Sequence, residues 1–267
     1  MIRKPVVAGQ FYAANADCLR REIAGLVPGA KNTVDAIGVV SPHAGYAASG
    51  PVAGDVLSAI KPKPTYLILG PNHTGLGKPF GMDIKRAWET PFGTVETDRS
   101  LGGAILDKSD YIEEDTLCHD YEHSIEVVLP FLQYLNQDFK FVPIVVGSSR
   151  DALYEKTGKE IAEAIKAFNK PVTIIASSDM THYEPYASAK KKDMKAIARI
   201  LDLDVTGFLK AIRDNDISMC GFAPTAVMIA AAVALGAKKV ELIKYNTSGD
   251  TVGDYSSVVG YAGIVIS

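Results

Sequence analysis

The chain has 267 residues, 47% of them hydrophobic and 22% charged, enough for one sizeable core and ordinary for a globular protein. A net charge of −3 and a pI near 6.0, with no dense Lys/Arg cluster, argue against nucleic acid as a partner. The longest apolar stretch, 223–237, contains Pro224, Thr225 and Gly236 and falls short of the roughly 20 residues of a membrane span.

The opening MIRKPVVAGQFY lacks the apolar core of a signal peptide. Three cysteines, at 18, 118 and 220, form no CxxC and cannot all pair within the chain, so a reduced, cytoplasmic protein away from membranes is expected. In chain order, DCLRREIAGL reads as a helix, 37–41 as a buried strand, 51–60 as a helix and 65–70 as a second strand. Segment 82–97 has the character of a short antiparallel excursion around Pro91-Phe92-Gly93. A helical pattern over 123–135 leads to a strand at 140–146. The next helix, 151–168, places Ile161, Ile165 and Phe168 on one face, and a strand follows at 172–177. Helices are expected at 186–201, 204–214 and 224–235, the last with Pro224 in its first turn and a stop at Gly236. Lys190-Lys191-Lys192 reads as a solvated helix face. Strands at 239–244 and 257–266 close the chain. No linker, repeat or composition break interrupts it, so 1–267 is expected to form a single α/β domain with a central, mostly parallel or mixed sheet flanked by helices.

Three strands end on chemically active residues. IGVVSPHAGY runs into His43, TYLILGPNHTG into His73, and VTIIASSDMTHY into Asp179 and His182. Open α/β sheets place ligands beyond the carboxyl ends of their strands, so these residues belong together in one site. Neutral imidazole is the commonest ligand for borderline divalent metals, and Gly45 and Gly75 let the backbone turn closely around an ion. The plainer alternative is that PHAGY and PNHTG are tight strand-to-helix turns. Cys220, just before a helix, is either a third ligand or a buried structural thiol. Asp179 and His182 suit an acid/base pair, although Ser178 or Asp179 could instead cap a helix. His119-Asp120-Tyr121-Glu122-His123 matches H-x-x-E-H, but the loop-like 113–116 before it argues that His119 precedes the helix, which breaks the i, i+4 chelate.

The motifs RKPVVAGQFY, SPHAGYAASG, LGPNHTG, WETPFGTVETD, DYEHSIEVVLPFLQ, IIASSDMTHY and MCGFAPT, in this order, resemble those of the Memo family. Its bacterial and archaeal members are often called AmmeMemoRadiSam system protein B. The resemblance covers essentially the whole chain. It implies a fold like that of the class III extradiol dioxygenases and a mononuclear metal site of two histidines and a cysteine, here His43, His73 and Cys220. It also brings Asp179, His182 and His123 to the pocket as catalytic candidates and leaves His119 without a role. The implied cofactor is one divalent transition metal, Fe(2+) first, with Cu and Zn as alternatives. A functional link to a radical SAM protein is implied as well. Three functions compete: a non-haem redox enzyme, a scaffold whose pocket takes a peptide or phosphate group, and a metal-dependent hydrolase with Asp179 or His182 as base. The small-molecule or peptide ligand is left open.

Overall fold

The computed structural model describes residues 1–29 and 33–267. Eleven strands are used below: β1 Ile2–Arg3, β2 Gly38–Ser41, β3 Thr65–Pro71, β4 Phe80–Met82, β5 Ala87–Thr90, β6 Gly93–Val95, β7 Glu113–Glu114, β8 Lys140–Val146, β9 Val172–Ser177, β10 Val240–Thr247 and β11 Gly260–Ile266. The helices between them are α1 Ala16–Leu26, α2 Tyr46–Ser58, α3 Arg99–Lys108, α4 Leu129–Leu135, α5 Asp151–Phe168, α6 Tyr186–Leu201, α7 Val205–Asp214, α8 Phe222–Ala234 and the single turn α9 Gly249–Val252.

Among the described residues the main sheet has eight strands in the order β10-β11-β2-β9-β3-β8-β4-β7. Its centre, β2-β9-β3-β8, is parallel, while β10, β11 and β4 pair antiparallel, so the sheet is mixed. Alternate residues of the central strands feed two cores. Leu67 and Leu69 of β3 point with Ile174 of β9 toward α3, α5, α6, α7 and α8, whereas Tyr66 and Ile68 point with Ile175 toward α1, α2 and α4. Burial on both faces explains why these strands read as continuous apolar runs. β5 and β6 form the expected antiparallel excursion, joined by β1 in a small second sheet. No described helix is long and apolar enough to cross a membrane.

Element boundaries differ from expectation in instructive places. The helix expected to open at Pro51 begins at Tyr46 and carries Pro51 in its interior. Gly45 starts it, and the orphan N–H of Tyr46 is taken by the carbonyl of Phe11 at 2.7 Å, so a contact from 35 residues away fixes the start. The pattern over 123–135 is a loop, a 3-10 turn at Glu126–Val128 and then α4. Helix α3, capped by Asp98 through the N–H groups of Ser100 and Leu101, has no counterpart in the sequence reading.

Candidate metal centre

The three strands that end on histidines or Asp179 are neighbours: β9 lies between β2 and β3, all parallel. Their carboxyl ends therefore open on one side. His43 follows β2, His73 follows β3, and the loop after β9 supplies Asp179 and His182. These four line one cavity of about 260 Å³ together with His123, Phe11, Tyr183 and Tyr261. His123 comes from the loop before α4. That loop lies against β3 at Gly70, where a Cβ would come within 2.4 Å of Ser124 Oγ, so only glycine admits this approach.

His43, His73 and His123 are placed to bind one metal ion: a ligand atom from each lies within 4.8 Å of the others. The rings of His73 and His123 stack with centroids 4.8 Å apart, and His43 stands edge-on to both at 5.2 and 5.5 Å. His43 is buried, His123 half-buried and His73 exposed.

Hydrogen bonds decide which nitrogen two of these imidazoles present. Ser177 Oγ donates to the Ser124 carbonyl at 2.7 Å, so toward His43 Nδ1, at 2.8 Å, it can only accept. His43 therefore carries its proton on Nδ1 and leaves the Nε2 lone pair free. His73 Nδ1 lies 2.8 Å from Glu122 Oε1, a carboxylate that also accepts from the His73 N–H at 2.6 Å and from the N–H groups of His123 and Ser124. Nε2 of His73 is again the free atom. Such outer partners are what orient metal-ligating histidines. At the cavity mouth His182 repeats the arrangement, donating Nδ1–H to the Ser218 carbonyl at 2.9 Å.

Cys220 sits beside His43, with Sγ 3.3 Å from Nε2. Two ligands at about 2.3 Å (sulfur) and about 2.0 Å (nitrogen) from one ion at a tetrahedral angle lie about 3.5 Å apart, so the spacing to His43 suits a shared ion, but among the described residues the cluster of mutually close ligand atoms has His123, not Cys220, as its third member. The approach depends on Gly221, where a Cβ would meet Ser177 O and Ser178 Cβ at 2.4 Å. The next residue, Phe222, begins α8, two positions before the expected start at 224.

Burial dominates the electrostatics. It pulls His43 well below the usual histidine range and pushes the Cys220 thiol up, with the Asp179 charge adding to the latter. Burial also lowers His123, against the opposing pull of Glu122. His73 moves the other way: desolvation pulls it down, but the bond and charge of Glu122 outweigh it. Glu122 in turn falls to about 2, its burial outweighed by His73 and the surrounding N–H donors. A bound cation would reverse the bias on Cys220, since a coordinating thiol is deprotonated.

Asp179 and His182 have separate partners. Asp179 Oδ1 accepts from the backbone N–H of His43 at 2.8 Å and of Ala44 at 3.3 Å, and burial raises its carboxyl. It ties the end of β9 to the loop carrying His43 and caps no helix, because α6 starts only at Tyr186. His119 lies elsewhere, in a 3-10 turn, with Nε2 donating to the Gly81 carbonyl at 3.1 Å and its ring 5.5 Å from Trp88. The H-x-x-E-H pair therefore forms no chelate. Sequence reasoning missed Ser177 and Phe11, and it gave Glu122 no part in the site. Glu122 stands next to His123 in the sequence, yet the ring it orients is that of His73, 49 positions away.

Residues 3–265 match the family model described as Memo-like protein. A MEMO1 family protein from Methanococcoides burtonii is 46% identical over 99% of this chain and 100% of its own. Those from Methanopyrus kandleri and Pyrobaculum aerophilum are 44% and 43% identical, each over 99% of this chain and 99% and 98% of their own. A crystal structure of an uncharacterized Escherichia coli K12 protein aligns with a TM-score of 0.59 at 11% identity, covering 85% of this chain and 98% of that one. That likeness concerns the fold alone.

Proposed function

Because the chain belongs to the Memo family and its three clustered histidines can hold a metal ion, we propose that it is a mononuclear non-haem metal redox enzyme. In this reading His43 and His73 hold one divalent transition metal, Fe(2+) ahead of Cu and Zn, with Cys220 beside His43 as the third ligand and the clustered His123 left as a proton carrier. The observation that supports it most is the anchoring of Nδ1 in both His43 and His73, which leaves two Nε2 lone pairs beside a thiol 3.3 Å from one of them. A softer donor set than two histidines and a carboxylate favours an electron-rich ion.

When bound, the ion supplies an open coordination position and a one-electron couple. The rest of the work falls to the chain. Glu122 and Ser177 hold the rings in register, and Asp179 holds the His43 loop. His123 lines the cavity with its ring 4.8 Å from that of His73 and is placed to exchange a proton with a ligand there, burial lowering its pKa against the charge of Glu122. His182 presents its free Nε2 at the mouth and suits proton exchange with solvent.

Anaerobic purification followed by metal analysis and electron paramagnetic resonance tests this. About one iron or copper per chain with a reversible oxidation state is expected. Zinc alone, with turnover of an ester or amide, would replace the redox reading with a hydrolase. Full ligand or partner binding by a metal-free variant would replace it with a scaffold.

A further inference from the structure

One buried tyrosine has an idle hydroxyl. Tyr12, Tyr46, Tyr66, Tyr154 and Tyr261 are all buried, and a buried phenol normally finds a hydrogen-bond partner. Four of them do. Tyr12 Oη donates to Glu126 at 2.7 Å and Tyr46 Oη to the Val127 carbonyl at 2.7 Å. Tyr66 Oη accepts from the Lys63 N–H at 3.1 Å and Tyr154 Oη from the Ser149 N–H at 2.6 Å. Tyr261, only 2% exposed, has no such partner among the described residues.

Its oxygen is not sealed in, as the unpartnered hydroxyls of Thr181 and Thr225 are, so it meets open space. The space that Tyr261 borders is the histidine cavity. The ionisable groups that act on its phenol are Asp179 and Tyr183, which line the same cavity, so the hydroxyl end of the ring lies on that side. The fold explains the placement. β11 runs antiparallel beside β2, with Ile264 opposite Val40, so its first residues lie at the carboxyl end of β2, just where His43 follows. Strand alternation sends Ala262 and Ile264 into one core and Tyr261 to the opposite face, that of α2. Burial pushes the phenol above its ordinary range and the charge of Asp179 adds to this, so the group stays protonated and offers a donor. No lysine or arginine lines the cavity to meet a negatively charged ligand.

We propose that Tyr261 is a ligand-binding residue of the metal pocket, its Oη–H donating to an anionic oxygen of a compact carboxylate held at the histidine cluster. A cavity of about 260 Å³ suits a molecule of that size. This inference rests on the metal-site reading for the seat of the carboxylate. The free hydroxyl is a property of the chain.

The test compares acetate, which can accept the bond, with 1-methylimidazole, which once coordinated has no acceptor left. Each Kd is read from the visible absorption of the Co(II)-loaded wild type and Tyr261→Phe. The substitution should weaken acetate about tenfold or more, as expected for a lost hydrogen bond to a charged group, and leave 1-methylimidazole within about twofold. Equal weakening of both ligands, or of neither, overturns the proposal. Urea melts separate a structural role. Tyr261→Phe should unfold with the wild type, whereas Tyr12→Phe, which strips a partner from buried Glu126, should unfold earlier. A Tyr261→Phe protein as weakened as Tyr12→Phe also overturns the proposal. If the wild type takes up no Co(II), the metal reading falls, and metal-free protein carrying ¹³C at the tyrosine Cζ decides. Acetate should then shift the resonance that Tyr261→Phe removes, and an unmoved resonance overturns the assignment of Tyr261.

Discussion

Which nitrogen an imidazole offers depends on what holds the other one, and that fixes the residues whose loss should matter. In the proposed site His43→Ala or Cys220→Ala removes a donor and should weaken metal binding by orders of magnitude in a chelator competition. His182 donates Nδ1–H to Ser218 at the mouth and is assigned no ligand role. His182→Ala should therefore keep the ion, with a change of about 10–100-fold in affinity or activity. Metal loss from His182→Ala as complete as from His43→Ala would mean a closed four-ligand site without room for substrate. His119 gives a second test at this scale. It is buried, and burial lowers its pKa to about 4. The fold accommodates the neutral ring, so stability is full above the ordinary histidine value of about 6.5 and falls as pH drops through the window down to about 4. The full loss is of order 3 kcal/mol. In urea melts at pH 7 and pH 4.5, His119→Gln, which can still reach the Gly81 carbonyl, should lose about 2 kcal/mol less on acidification than the wild type. Equal acid sensitivity would place the titration elsewhere.

Helix α8 begins where β9 ends, and Gly221 is the joint. Its N–H donates to Ser178 Oγ at 3.0 Å, and its missing side chain lets the Cys220 loop lie on the β9 backbone. A methyl group there meets backbone and Cβ atoms at 2.4 Å, neither of which can swing aside. Gly221→Ala should cost about 1–3 kcal/mol, the usual penalty of overpacking, and move Sγ away from His43. Thermal melts paired with metal titration check both effects. A variant as stable and as metal-competent as the wild type would show that the junction tolerates the shift. Other elements were readable because their signals are local: the apolar runs became strands within a few residues of expectation, and Gly236, at φ +93°, follows α8 as its pattern implied. The start of α2 was not, since Pro51 looks like a first-turn proline until Phe11 is seen to cap the turn before it.

Both cores are built on one sheet, each drawing on alternate residues of the same strands. Cutting a surface loop should therefore leave the halves bound to each other. The segment Gly75–Pro79 is exposed, and Gly75 and Gly77 both hold positive φ there, at 69° and 71°. Limited proteolysis should nick this loop while the fragments co-elute as one folded species on size exclusion. Two separately stable fragments would refute a shared core.

Much of the site was legible in the chain: alternating strand and helix patterns, and histidines or Asp179 immediately past three strand ends. Those features arise from backbone preference and apolar periodicity, which act over a few residues. The order of the strands was not legible, and it is the placing of β9 between β2 and β3 that brings His43, His73 and Asp179 to one mouth. Nor could the sequence show that Glu122 turns the ring of His73, that Ser177 sets the tautomer of His43, or that Phe11 lines the pocket edge-on to His123. These pairs lie far apart along the chain, and their contact exists only once the sheet and both helical layers have packed.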